Sequence, residues 1–137
     1  MWARALAMRL AQMGRAAHVV GDATAAALAA GDLLLLISGS GRTATLRVFA
    51  DKAREVGAEV GLLTYRAESP LAAAAQAAAV LAVPMEAERP GGVGGRQLLG
   101  TLFDQCALLA ADAIAAAVAA RLGEDDAAMQ RRHANLE

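Results

Sequence analysis

Lysine, cysteine and aromatic side chains are scarce in this 137-residue sequence, and each scarcity excludes something. Lys52 is the only lysine, so arginine carries almost all of the positive charge. With 13 Lys and Arg against 14 Asp and Glu, the formal net charge is −1, which gives no concentrated basic face for nucleic acid. Cys106 is the only cysteine, so no internal disulfide can form, as suits a reducing cytoplasm. It lies in an Ala/Leu helical run and reads as a small buried hydrophobe rather than a nucleophile. Aromatics make up 3% of the chain while 57% is hydrophobic, so the apolar bulk is Ala, Leu and Val, packed through many small contacts. The opening Met1-Trp2-Ala3-Arg4 has polar residues at helical spacing and no continuous apolar core, so no signal peptide is read there. The longest apolar stretch, 102–122, contains Asp104 and Asp112 and is mostly Ala. It fits a buried or interface helix better than a membrane span.

What is present is an alternation of helical and extended patterns. Residues 2–13 read as a helix with Leu6, Leu10 and Met13 on one stripe and Gly14 as its stop. A short strand is expected over 17–20 and an Ala-rich helix over 24–30. The run Leu33–Ile37 is continuously apolar and bounded by turn residues, the pattern of a parallel strand covered on both faces. A helix over 43–56 follows, with Leu46, Ala50 and Ala53 inward and Gly57 closing it. The next strand is Glu59–Thr64, then a helix opened by Ser69-Pro70, and a strand over 79–83 stopped by Pro84. Residues 85–97 read as a loop, Thr101–Leu122 as a long helix, and the polar tail as a short helix over about 127–132. Short connections between alternating strands and helices force parallel strands. The expected fold is α/β, a doubly wound parallel sheet in a flavodoxin-like three-layer sandwich, formed by a single domain over 1–137 with a C-terminal helical tail.

In such sheets ligands bind beyond the carboxyl ends of the strands. Leu33–Ile37 ends in Ser38, Gly39, Ser40, Gly41, Arg42 and Thr43, directly before a helix. The glycines allow a tight turn that exposes N–H groups, Ser38, Ser40 and Thr43 add hydroxyls, and the helix N-terminus adds its positive dipole end. This is neither a P-loop nor a dinucleotide fingerprint, since no Lys follows and the third glycine is absent. The segment fits a phosphate site, or a plain Ser/Gly strand-to-helix turn with Thr43 as N-cap.

The run Ile37-Ser38-Gly39-Ser40-Gly41-Arg42-Thr43, followed by Ala50-Asp51-Lys52-Ala53, Gly57-Ala58 and Thr64, resembles SIS sugar-phosphate isomerase domains. Three more segments resemble the 6-phospho-3-hexuloisomerase family in particular. They are Ala5-Leu6-Ala7-Met8-Arg9-Leu10 with Gly14, Gly100-Thr101-Leu102-Phe103-Asp104-Gln105 against that family's GTLFE, and the ending Arg132-His133-Ala134-Asn135-Leu136-Glu137. The resemblance implies interconversion of 3-hexulose 6-phosphate and fructose 6-phosphate through an enediol, with no metal or redox cofactor. It implies a phosphate clamp at Ser38, Gly39, Ser40, Gly41 and Thr43, Asp104 as base, and His133 as acid or ring-opening group. Asp104 sits just inside a helix N-terminus, where a negative charge is favoured; a capping role is the alternative. A histidine suits proton shuttling, and His133 is expected to serve its own or a neighbouring subunit's site. His18 reads as structural, Arg131 and Arg132 as a solvated charge run, and Asp112 as bonded locally or across an interface. A homo-oligomer, tetramer or dimer, in the cytoplasm is implied.

The resemblance also has gaps. The family begins with a further helix and a strand ending in a Gly-x-Gly-Arg-Ser type turn, and this sequence starts after it, so the first family strand is expected to be missing. An upstream start codon or a fragment is the expectation over a tolerated deletion. Arg42 stands where Glu is common, and Leu98 where Pro usually follows the Gln. The alternatives are a non-catalytic SIS sensor, an isomerase of another phosphosugar, and an inactive truncated paralogue.

Overall fold

The computed structural model describes residues 2–80 and 101–135. Its elements in chain order are α1 (Trp2–Gln12), β1 (Leu33–Ile37), α2 (Ala44–Glu55), β2 (Glu59–Thr64), α3 (Pro70–Ala74), β3 (Ala77–Val80), α4 (Thr101–Leu122) and α5 (Asp126–Arg131). They fall into two compact units, one of Met1–Ala26 with Leu108–Glu137, the other of Ala27–Ala107.

The unit of Ala27–Ala107 holds a parallel sheet in the order β1-β2-β3. Leu34 pairs with Val60 and Leu36 with Leu62, while Leu62 in turn faces Ala78. Alternation along β1 places Leu34 and Leu36 in a core with Val60 and Leu62 of β2, Ala50 and Ala53 of α2, and Leu71 and Ala74 of α3. The small Ala side chains let α2 approach closely, and Leu46 packs on the edge of the same cluster. Val60, Leu62, Leu63 and Leu71 are fully buried, each contributing about 1.5–3 kcal/mol by leaving water. The cover on both faces expected of Leu33–Ile37 is found instead at β2, where every residue after Glu59 is buried. β1 differs: Leu35 and Ile37 are half-buried and Leu33 is exposed. β1 pairs on one side only among the described residues, so its outer face has fewer neighbours.

The local signals act as their chemistry dictates. Ser69 caps α3 by accepting the Ala72 N–H at 3.3 Å, with Pro70 in the first turn. α2 ends in paired closing bonds, Gly57 N–H to the Arg54 carbonyl (3.1 Å) and Ala58 N–H to the Ala53 carbonyl (2.9 Å). β3 begins at Ala77 rather than 79. Gln76 starts its ladder, donating its N–H to the Val60 carbonyl (2.9 Å) while its side-chain oxygen accepts the Val60 N–H (2.8 Å). Residues 81–83 of that expected strand and the loop expected over 85–97 lie outside the described residues.

Two expectations fail. Residues 17–20 form no strand and residues 24–30 no helix; both are irregular backbone. A strand exists only through a ladder partner, and no described strand pairs with 17–20. The shorter α3 and α5 form with side-chain N-caps at Ser69 and Asp125; among the described residues no such cap opens 24–30, and an uncapped segment this short does not repay nucleation. The segment 24–30 is held by local bonds instead: Ala25 N–H to the Asp22 carbonyl (3.0 Å) and Ala29 N–H to the Asp32 carboxylate (2.9 Å).

The other unit contains α1, the remainder of α4, and α5. Leu6 and Met13 of the expected α1 stripe are buried, while Leu10 is half-buried. α1 closes at Gly14 with Gly14 N–H to the Ala11 carbonyl (2.9 Å) and Arg15 N–H to the Leu10 carbonyl (2.9 Å). Arg9 meets Asp112 at 3.4 Å, so the partner of Asp112 is distant in sequence and not local. α5 starts at Asp125, whose carboxylate accepts the Ala128 N–H at 2.7 Å.

Candidate active site

β1 and β2 run parallel, so Ile37 and Thr64 end at the same edge of the sheet. Ser38 extends the ladder one step, its N–H donating to the Leu63 carbonyl at 2.9 Å. The chain then turns over residues 38–43 into α2. Ser38 is buried, and its Oγ lies 3.0 Å from Thr43 Oγ1 while accepting the Gly41 N–H at 3.2 Å. Ser40 Oγ accepts the Arg42 N–H at 3.3 Å. Thr43 is the N-cap position of α2 but its side chain caps no amide, being engaged with Ser38 instead. Thr43 thus holds the N-cap position without a side-chain cap. The first turn of α2 holds no acidic residue, and among the described residues no carboxylate pairs with Arg42. The helix N-terminus thus carries its positive dipole end and a cation together, an arrangement that favours an anion.

Two glycines in this turn are dictated by what surrounds them. Gly41 has φ 64°, and a Cβ there would collide with Ser69, whose own Cβ would lie 2.5 Å away. The Gly41 carbonyl accepts the Leu71 N–H at 3.1 Å, fastening the turn to the start of α3. At Gly39 the constraint is close approach: a Cβ would lie 2.7 Å from Tyr65 Cε1 and 3.2 Å from Phe103 Cδ1. The Gly39 carbonyl accepts the Thr64 hydroxyl at 2.8 Å and the Tyr65 N–H at 3.3 Å.

The same unit brings the first turn of α4 to this edge. Phe103 is buried and meets the Tyr65 ring edge-to-face, centroids 5.7 Å apart at 73°. Asp104, half-buried, follows Phe103 and is the acidic residue of the first turn of α4. Ser38, Gly39, Ser40, Gly41, Thr43 and Asp104 therefore belong to one compact unit. His133 belongs to the other, where it is exposed just after α5 with its Nδ1 3.0 Å from the Ala134 carbonyl oxygen. Arg132 beside it is exposed, as expected of a solvated charge, but it is also bonded. It donates to Glu124 at 2.8 Å and to the Gln12 backbone carbonyl at 3.1 Å, and the Glu124 hydrogen bond holds its guanidinium still more firmly protonated. Cys106 is half-buried rather than fully buried. His18 lines a surface cleft with Arg4, Asp22 and Thr24.

Sequence reasoning missed three residues here: the bonding of the Thr64 hydroxyl, the Tyr65 ring and the Ser69 wall. One signal pointed to them. Thr64 ends β2, and Tyr65 and Ser69 follow it, at the carboxyl edge where α/β sheets bind ligands.

Comparison with known proteins matches this arrangement. The SIS domain family matches residues 1–115. A Bacillus subtilis 3-hexulose-6-phosphate isomerase is 37% identical over 98% of this chain and 73% of its own length. A Mycobacterium gastri 3-hexulose-6-phosphate isomerase is 35% identical over 98% of this chain and 67% of its own length. A crystal structure from Methanococcus jannaschii, for which a molecular function of 3-hexulose-6-phosphate isomerase was inferred, superimposes with a TM-score of 0.85 at 29% identity, covering 99% of this chain and 72% of that one. The fold is thus the parallel α/β fold of those proteins, and the chain belongs to the SIS-domain family and, within it, to the 3-hexulose-6-phosphate isomerase family of enzymes.

Proposed function

We propose that the chain, acting as one SIS domain, interconverts 3-hexulose 6-phosphate and fructose 6-phosphate. The phosphate sits on the turn of Ser38, Gly39, Ser40, Gly41 and Thr43, against the amides at the start of α2. The Asp104 carboxylate takes the proton from C2 of the 3-ketose as the C3 oxygen is protonated, giving the enediol between C2 and C3. Returning a proton to C3 while the C2 oxygen loses its own leaves the carbonyl at C2. His133 supplies and removes the oxygen-bound protons or opens the sugar ring, in its own or a neighbouring subunit's site. The enzyme works as a cytoplasmic homo-oligomer, dimer or tetramer.

The observation that carries this reading is the turn itself. The Ser38 and Thr43 hydroxyls are bonded to each other, the N-cap side chain leaves the helix amides uncapped, and Arg42 adjoins them. The identity to named isomerases supports the choice of substrate. The test is an assay with 3-hexulose 6-phosphate beside an NMR titration with fructose 6-phosphate. Turnover is expected, with shifts at residues 38–43, and Asp104→Asn is expected to abolish it with the fold intact, general acid–base catalysis being worth about 10²–10⁴-fold. Unchanged turnover in Asp104→Asn removes Asp104 from the mechanism. Silent resonances at saturating ligand remove the anion site.

A further inference from the structure

We infer that Tyr65 is a positioning residue, its ring seated against both Gly39 of the anion-binding turn and Phe103 of α4, and that it thereby sets the reach from the bound phosphate to Asp104. This rests on the reaction proposed above.

The contacts are those of a spacer. With Cε1 only 2.7 Å from where a Gly39 Cβ would stand, the ring touches the backbone of the turn itself. Its other contact is the Phe103 ring, edge-to-face at 5.7 Å. Arg66 stacks its guanidinium carbon 5.6 Å from the same centroid, a third contact that limits ring rotation. Among the described residues no hydrogen bond holds the Tyr65 hydroxyl, so the fastening is made by the ring. Phe103 and Asp104 are consecutive in the first turn of a 22-residue helix, so whatever fixes Phe103 fixes Asp104 with it. A base works only within about 2.6–3.2 Å of its proton, and a misplacement of about 1 Å costs about 10²-fold in rate. The amides and hydroxyls of the turn hold the phosphate end of the substrate. The Tyr65–Phe103 pair decides whether the other end meets the carboxylate.

The test separates positioning from general damage. Tyr65→Ala is expected to lower kcat at least tenfold while the Kd for fructose 6-phosphate changes less than threefold, because the turn keeps its own hydrogen bonds. Tyr65→Phe, which restores the ring without the hydroxyl, is expected to bring kcat back to within threefold of wild type. Tyr65→Leu keeps apolar volume without an edge-to-face ring and is expected to behave like Tyr65→Ala, which covers the case in which the alanine variant does not fold. Tyr65→Ala or a folded Tyr65→Leu with kcat within threefold of wild type overturns the inference. So does Tyr65→Phe losing as much as Tyr65→Ala, which would give the hydroxyl the role. If Asp104→Asn is inactive while Tyr65→Ala turns over normally, only this inference falls; if Asp104→Asn is fully active, the underlying reaction falls first.

Discussion

Thr64 gives its hydroxyl proton to the Gly39 carbonyl at 2.8 Å and accepts the Arg66 N–H on the same oxygen at 3.0 Å. It is wholly buried at the end of β2. One side chain thus ties the end of the central strand to the backbone of the turn proposed to hold the phosphate and shapes the exit of its own strand.

Thr64→Val keeps the shape and removes both bonds. A typical intramolecular hydrogen bond contributes about 0.5–1.5 kcal/mol. The expected outcome is that loss in urea denaturation, together with a raised KM as the turn loosens. Thr64→Ser restores the hydroxyl and is expected to recover KM. A valine variant with wild-type stability and KM would show that the bond has no part in shaping the turn.

Ser38 tests the anion site from inside. Its buried hydroxyl meets Thr43 Oγ1 and the Gly41 N–H. Ser38→Ala frees both, so the turn loses two of its internal bonds. The expected result is at least a tenfold weaker Kd for fructose 6-phosphate in calorimetry, with a smaller change in kcat at saturation. Equal losses in both would place Ser38 in the chemistry and not in the clamp.

Asp104 stands where the resembled family segment has Glu. If the carboxylate is the base, lengthening it by one methylene keeps the proton acceptor. Asp104→Glu is therefore expected to retain turnover within about tenfold, while Asp104→Asn loses about 10²–10⁴-fold. A glutamate variant as inactive as the asparagine one would mean that this chain has fixed its geometry around the shorter side chain.

Much of this arrangement was legible beforehand, and its gaps have physical causes. Leu33–Ile37 and Glu59–Thr64 could be read because apolar runs between turn residues are a local property. Ser69-Pro70 and Gly57 could be read because capping is local too. The run at residues 17–20 misled because a strand is a relation between two segments, and the alternation of one cannot supply the other. Residues 24–30 misled because Ala propensity is small per residue and, without a side-chain cap of the kind Ser69 and Asp125 provide, seven residues do not sum to a helix. The turn residues 38–43 were found from composition, but the reason for Gly39 was not. That reason is Tyr65 and Phe103, one beyond β2 and one in α4, and no spacing rule connects them. The bonding of the exposed Arg132 was hidden for the same reason, since its acceptor on Gln12 lies 120 positions away.

The Arg132 contacts give a prediction about the tail. Salt bridges with exposed partners contribute little, but here the guanidinium also takes up a carbonyl at the end of α1. Arg132→Ala is expected to leave the global melting temperature nearly unchanged and to speed hydrogen exchange of the α5 amides at least fivefold. Unchanged exchange would mean that α5 is held by its Asp125 cap alone.

The last prediction concerns α4. It is apolar around much of its circumference, and by length and composition it would suffice to cross a membrane, yet it contains Asp104 and Asp112. Ala107, Ala111 and Ala115 are buried along one stripe, while Leu109 is 68% exposed. An isolated exposed leucine means little, but on a long Ala-rich helix it adds to apolar surface that a second copy of the chain would cover. The proposed homo-oligomer then buries Leu109, and a charge placed there must be desolvated without a partner. Leu109→Glu is expected to convert the dimer or tetramer to monomer in light scattering at micromolar concentration, without loss of helical circular dichroism. Because His133 is proposed to serve its own or a neighbouring site, the same variant discriminates between the two: lost turnover in a folded monomer points to the neighbour, retained turnover to its own. A wild-type chain that scatters as a monomer would remove the oligomer altogether.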